Sequence, residues 1–93
     1  MMRGYAYLID AGATLALSTL AQAAPKCTAE SKNKWISEQA MKAKAMELGY
    51  EGIKTFKVSG DCYEIYGYNK DGQKAEVYLN PVTGEVVKAN IGG

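Results

Sequence analysis

The sequence predicts an α+β fold, with one N-terminal helix packed on a three- to four-stranded antiparallel sheet and one disulfide. Three observations predict it: a single stretch of helical periodicity over 37–49, alternating apolar and polar residues from Tyr50 onward, and two cysteines. Short turn-forming stretches separate the alternating runs, and connections this short join antiparallel neighbours. With 93 residues, the chain is long enough for one small domain.

The first 23 residues have the pattern of a secretory signal peptide. Arg3 gives a short positive start, an apolar run follows, and the Ala-Gln-Ala stretch at 21–23 resembles a signal-peptidase site. The run is shorter than the about 20 apolar residues that a spanning helix needs. The alternative is a buried helix of the domain, and Asp10 weakens the apolar segment. We expect residues 1–23 to be removed, which leaves 24–93 as a periplasmic or secreted domain with no membrane span.

The two cysteines, Cys27 and Cys62, both lie in the predicted mature chain. In an oxidising compartment we expect them to form a disulfide. Because they are 35 positions apart, the bond would close a long loop and stabilise the domain by about 3–4 kcal/mol. The alternative is a redox role, which the absence of a C-x-x-C motif disfavours.

The helix is predicted from an N-cap residue, a stripe of apolar residues along one side and a glycine that ends it. Ser37 is a good N-cap residue, since its hydroxyl can accept from an unpaired backbone N–H. Met41, Ala45 and Leu48 follow at i, i+4 and i+7 and form one apolar stripe. Gly49 can take the positive φ that ends a helix. The helix therefore has a single face to bury.

The strands are predicted from alternation with a period of two. Turns at 59–61 and 70–72 separate three alternating runs, and a short last run follows at 85–89. In the first run Phe56 and Val58 alternate with Thr55 and Lys57. In the second and third runs one face carries Tyr63, Ile65, Ala75, Val77 and Leu79, and the other carries Glu64, Tyr66, Tyr68, Glu76 and Tyr78. With only one helix to cover the sheet, we expect the second face to be exposed to solvent.

Three tyrosines on that second face form a candidate partner site. An exposed cluster of Tyr66, Tyr68 and Tyr78 would suit a protein interface, where aromatic residues supply much of the binding energy. The alternative is that tyrosines favour strands and pack across them. Glu64 and Glu76, on the same face, are interpreted as solvated surface residues rather than as a catalytic pair.

The stretch Asn-Pro-Val-Thr-Gly at 80–84 predicts a tight turn between the third and fourth strands. Pro81 cannot donate to a ladder and so ends the third strand. Its fixed φ suits the second position of a turn, and Gly84 tolerates a positive φ. Asn80 can hydrogen-bond the backbone ahead of it, and Thr83 completes the turn sequence.

Over residues 26–89 the sequence resembles the PepSY domain family, in its small exported single-domain form. The resemblance rests on a helix ending in LGY, a CYE-I-YG strand with a partner cysteine before the helix, and NPVTGEVV at 80–87. Asn80 stands where the family pattern more often has Asp, and both side chains serve a turn. The resemblance implies a non-catalytic module that binds and regulates or inhibits an envelope or secreted peptidase. The family offers no catalytic residues and no cofactor to carry over.

Composition bears on the other classes of function. The chain has no histidine, so Ser–His and Cys–His nucleophiles and imidazole metal ligands are missing. Net charge is only +1, which gives no basic footprint for nucleic acid. The NKDG stretch at 69–72 has its glycine too early for a calcium loop. We therefore expect no enzyme, metal or nucleic-acid partner; the competing hypothesis is a small-ligand-binding or structural envelope protein. The oligomeric state stays open.

Overall fold

The computed structural model describes residues 24–92, which form one α-helix, a short 3₁₀ turn and four strands. The predicted signal peptide, residues 1–23, lies outside the described residues. In chain order the elements are the 3₁₀ turn Lys32–Lys34, α1 Glu38–Glu47, β1 Glu51–Ser59, β2 Cys62–Tyr68, β3 Lys74–Leu79 and β4 Val86–Ile91. No helix among the described residues is long and apolar enough to cross a membrane.

The four strands form one antiparallel sheet in the order β1-β2-β3-β4. This meander confirms the predicted antiparallel sheet and fixes its size at four strands. The helix does not begin the described chain, since residues 24–37, with the 3₁₀ turn, precede it. β1 and β4 are the edge strands of this part of the chain, and β2 and β3 form its centre.

Helix α1 is capped as its sequence predicts. The Ser37 hydroxyl accepts from the Ala40 N–H at 3.1 Å, and Gly49 has φ +101° at the other end. Met41 is fully buried against the sheet. Leu48 was expected in the apolar stripe, but it is 53% exposed. That prediction is wrong because Leu48 is the C-cap, and the positive φ of Gly49 directly after it turns the chain toward β1.

The core lies between α1 and one face of the sheet. Tyr63 connects this core to the segment before the helix: its hydroxyl donates to the Ile36 carbonyl at 2.7 Å, and the Trp35 ring meets it edge-on at 5.3 Å. The Phe56 ring lies 4.8 Å from that of Tyr63. The buried core residues are Met41, Ala45, Tyr63, Ile65, Ala75, Val77 and Leu79. Those on the strands are the members of the face predicted to be apolar.

The predicted disulfide between Cys27 and Cys62 is confirmed, with Cα atoms 5.1 Å apart. Asp61 supports it, since its Oδ1 accepts from the Cys27 N–H at 2.7 Å. That backbone hydrogen bond lowers the pKa of Asp61. The disulfide thus holds the segment that leads into α1 against the start of β2.

The 80–84 turn has the predicted hairpin geometry and a further role. Asn80 Oδ1 accepts from the Val82 and Thr83 N–H groups at 2.9 and 3.2 Å, and Gly84 has φ +82°. Asn80 also donates to the Cys27 carbonyl at 2.9 Å. One side chain therefore shapes the β3–β4 turn and holds the N-terminal segment against it.

Candidate functional site

The sheet face opposite α1, called here the open face, carries two rows of residues that run across all four strands. Side chains directly opposite one another on paired strands point to the same side of a sheet. The first row is Lys57, Glu64, Tyr78 and Lys88, and the second is Thr55, Tyr66, Glu76 and Asn90. Alternation in β2 and β3 places these polar residues away from the core.

Glu76 is the centre of a hydrogen-bonded group on the open face. The Tyr66 and Tyr78 hydroxyls both donate to its Oε2, each at 3.0 Å. The Asn90 side-chain amide donates to its Oε1 at 2.9 Å. Residues of β2, β3 and β4 therefore converge on one carboxylate. We call Glu64, Tyr66, Glu76, Tyr78 and Asn90 the carboxylate cluster.

Glu64 is buried, with 2% of its surface exposed. The sequence interpretation of Glu64 as a solvated residue is therefore wrong. It lies on a central strand, with Lys57 and Tyr78 directly opposite it on the two neighbouring strands, and these longer side chains shield it. The Lys57 Nζ lies 3.9 Å from Glu64 Oε1. A charge of opposite sign thus accompanies the buried carboxyl group.

The two carboxyl groups of the cluster have pKa values displaced in opposite directions. Burial raises the pKa of Glu64, and a hydrogen bond from the protonated Glu64 to Glu76 raises it further. Hydrogen bonds donated to Glu76 lower its pKa to about 2, with the bond from Glu64 having the largest effect and the bond from Asn90 the next largest. As pH falls, Glu64 therefore takes up a proton before Glu76 does.

The three tyrosines of the candidate partner site share the open face but differ in exposure. Tyr66 is 39% exposed, Tyr68 is half-buried, and Tyr78 is only 6% exposed. Burial and its hydrogen bond to Glu76 raise the pKa of Tyr78 to about 12. Tyr78 is thus an internal member of the carboxylate cluster, while Tyr66 and Tyr68 keep surface exposed on the open face.

A groove of about 470 Å³ runs along the open face beside these two tyrosines. Its walls include Tyr66, Tyr68, Glu76 and Asn90, with the lysines Lys54 and Lys74. The Lys54 Nζ lies 5.4 Å from the centre of the Tyr68 ring, and the Lys57 Nζ lies 5.6 Å from that of Tyr66. At these distances the ammonium groups are within range of cation–π attraction.

A family model described as peptidase propeptide and YPEB domain matches residues 7–90. The chain belongs to this family, the PepSY domains. No curated protein and no solved structure matches the chain significantly. The match confirms the resemblance read from the sequence. It begins inside the predicted signal peptide, so the boundary between residues 23 and 24 stays a prediction.

PepSY domains are propeptide-like modules that are generally non-catalytic. Among residues 24–92, one group of potential metal ligands comes together, namely Cys27, Asp61 and Cys62. Both of its sulfur atoms are joined in the disulfide. The candidate functional features of this PepSY domain are the open face, its carboxylate cluster and its groove.

The sequence interpretation missed the lysines of the groove, and it considered Glu64 and Glu76 as a pair only to set that pair aside. The pairing has a signal in the sequence: both glutamates occupy the same face of consecutive strands joined by a short turn. Lys54 has none, because the register shifts between Glu51 and Thr55. Such an irregularity changes the face on which a side chain lies.

Proposed function

We propose that this protein is an exported, non-catalytic PepSY module that binds an envelope or secreted peptidase and restrains its activity. The observation that carries the proposal is the family match over 7–90, whose description is that of a peptidase propeptide. The disulfide supports the exported location, because such bonds persist in oxidising compartments. Residues 1–23 supply the predicted signal peptide.

The mechanism we propose is occlusion by surface contact. The open face is not covered by α1, and it presents the exposed Tyr66 beside the groove. Hydrogen bonds from three strands to Glu76 hold the cluster in one arrangement. A face held rigid before binding loses less conformational entropy when a partner docks. Tyr66 and Tyr68 are the proposed contact residues.

Inhibition of a peptidase tests this proposal. The full chain is exported, purified with its disulfide formed, and titrated into a co-exported peptidase that cleaves a fluorogenic peptide. We expect dose-dependent inhibition, and we expect Tyr66→Ser/Tyr68→Ser to weaken it about tenfold or more, since aromatic hot spots cost 2 kcal/mol or more when truncated.

The matched control is Met46→Ser/Leu48→Ser, which removes two exposed apolar side chains outside the open face. We expect this control to inhibit like the wild type. Tyr78 is left unchanged, because it is only 6% exposed and has little surface to offer a partner. Equal activity of the peptidase at every concentration of the protein would contradict the proposal.

A second candidate function is binding of a small ligand with no peptidase involved, and the groove of about 470 Å³ favours it. Native mass spectrometry of the protein purified from its own envelope tests this alternative. A retained molecule of constant mass, lost in the Tyr66→Ser/Tyr68→Ser variant, would support it. Recovery of the unliganded mass alone, together with peptidase inhibition, would exclude it.

A further inference from the structure

We infer that the groove of the open face binds an acidic segment of a protein partner, with Lys54 and Lys74 receiving its carboxylates. The inference rests on the proposed function, because it takes the bound partner to be a protein. It adds the chemistry of the segment that the groove selects. Three features of the groove carry it: its acceptors, its aromatic rings and its ammonium groups.

The carboxylate of the groove, Glu76, already accepts three hydrogen bonds. Both oxygens of Glu76 accept hydrogen bonds from within the domain, Oε2 from two tyrosine hydroxyls and Oε1 from Asn90. A cationic ligand would need this carboxylate as its counter-charge. Of the about four acceptor positions of a carboxylate, three are already filled. A bidentate cation would have to displace one of these hydrogen bonds and leave its donor without a partner.

The aromatic rings of the groove are also engaged by the domain's own cations. Lys54 lies over the ring of Tyr68 and Lys57 over the ring of Tyr66. An incoming ammonium or guanidinium group would compete for the ring face and would meet a like charge there. The site therefore disfavours a basic segment twice, at its carboxylate and at its rings.

The two lysines of the groove carry positive charge that is not paired with a carboxylate of residues 24–92. Within residues 24–92, the lysines that lie within 4 Å of a carboxylate oxygen are Lys26, Lys42 and Lys57. Lys54 and Lys74 line the groove without such a partner in that part of the chain. Their complement is an anion, and complementary charges steer and orient a binding partner.

The floor of the groove suits an extended segment in which an apolar residue stands between two acidic residues. Gly67 lies in the floor between the two tyrosines and contributes its backbone to the surface there. Gly92 lies at the β4 side. We expect one carboxylate of the segment to pair with each lysine and the apolar side chain between them to pack on the exposed part of Tyr66.

A peptide titration followed by NMR tests this inference. The probe is the acetylated and amidated pentapeptide Gly-Glu-Phe-Glu-Gly, and its neutral analogue has Gln in place of both Glu residues. With the ¹⁵N-labelled, oxidised protein at low salt, we expect the acidic probe to shift the amides of Lys54, Gly67 and Gly92. We expect the analogue to bind about tenfold more weakly, and added salt to weaken the acidic probe.

Two variants of equal charge separate this site from a general effect of net charge. We expect Lys54→Gln/Lys74→Gln to bind the acidic probe about tenfold more weakly than the wild type. The control Lys32→Gln/Lys34→Gln removes two lysines of the 3₁₀ turn, which lies outside the open face, and we expect it to bind as the wild type does. Equal loss in both variants, or equal affinity for the neutral analogue, would overturn the inference.

The same variants distinguish this inference from the proposed function. If Lys54→Gln/Lys74→Gln inhibits the peptidase as well as the wild type does, the groove does not carry the contact, although the function stands. If neither protein inhibits but the acidic probe binds the wild type selectively, the groove chemistry stands and the peptidase role fails.

Discussion

Asn80 joins two parts of the chain with a single side chain. Its oxygen accepts from Val82 and Thr83 and its amide nitrogen donates to the Cys27 carbonyl. We expect Asn80→Ala to lower the free energy of unfolding by about 1–3 kcal/mol, since these partners lose their hydrogen bonds. Asn80→Asp keeps the acceptor and loses only the donor, so it should cost less. Urea unfolding of the three proteins measures the difference; a larger loss for Asp than for Ala would contradict this role.

The raised pKa of Glu64 leads us to predict how the stability of the fold changes with pH. Its pKa in the folded state is raised above the ordinary value of 4.5, so its contribution to stability is complete below that value and is lost as pH rises through the folded-state pKa. Gln at this position keeps a donor for Glu76 and does not titrate. We therefore expect Glu64→Gln to become more stable relative to the wild type between pH 4 and pH 8.

Thermal unfolding across that pH range measures the effect. Glu76 supplies the control, because its lowered pKa gives stability that is present above 4.5 and is lost as pH falls toward about 2. Glu76→Gln should therefore reduce the loss of stability in acid. If the difference in stability between Glu64→Gln and the wild type stays constant with pH, the raised pKa of Glu64 is contradicted.

Gly67 is required where β1 bulges against β2. A Cβ atom there would lie 2.8 Å from the Glu51 carbonyl oxygen and 3.2 Å from the Ile53 Cα. Both are backbone atoms of the irregular part of β1, so neither can move aside cheaply. We expect Gly67→Ala to cost about 1–3 kcal/mol in stability. Hydrogen exchange should rise at the start of β1 while β3 and β4 stay protected, and a uniform rise over the sheet would contradict this local cause.

At the scale of elements, the disulfide is the main link between the N-terminal segment and the sheet. We expect Cys27→Ser/Cys62→Ser to lower the free energy of unfolding by about 3–4 kcal/mol, from the entropy that the loop of 35 positions gains in the unfolded chain. Denaturant unfolding checks this value. The reduced wild type is the control and should unfold like the variant, whereas an unchanged midpoint in both would show that the bond does not stabilise the fold.

Strands were more predictable than the details of the helix, for a physical reason. The two faces of β2 and β3 follow from alternation, which is a local property of extended backbone. Tyr63, Ile65, Val77 and Leu79 therefore lie in the core as expected. The predicted apolar stripe of the helix is wrong at Leu48, because sequence periodicity does not show at which residue the helix ends.

At the scale of the molecule, sequence periodicity indicated the layers of the fold but not the chemistry of its open face. The burial of Glu64 depends on what lies opposite it on β1 and β3, and those neighbours are set by sheet register. The groove also depends on the bulge in β1, which positions Lys54 beside Tyr68. No local pattern encodes either feature, so only the assembled sheet reveals them.

The central claim is that the open face of this PepSY domain binds a peptidase. Site-specific photocrosslinking in the native envelope tests it most directly, with p-benzoylphenylalanine placed at Tyr66 in one variant and at the exposed Met46 in another. Mass spectrometry then identifies the crosslinked proteins. We predict that a peptidase is captured from position 66 and not from position 46. Capture of the same proteins from both positions, or of no peptidase from position 66, would contradict the claim.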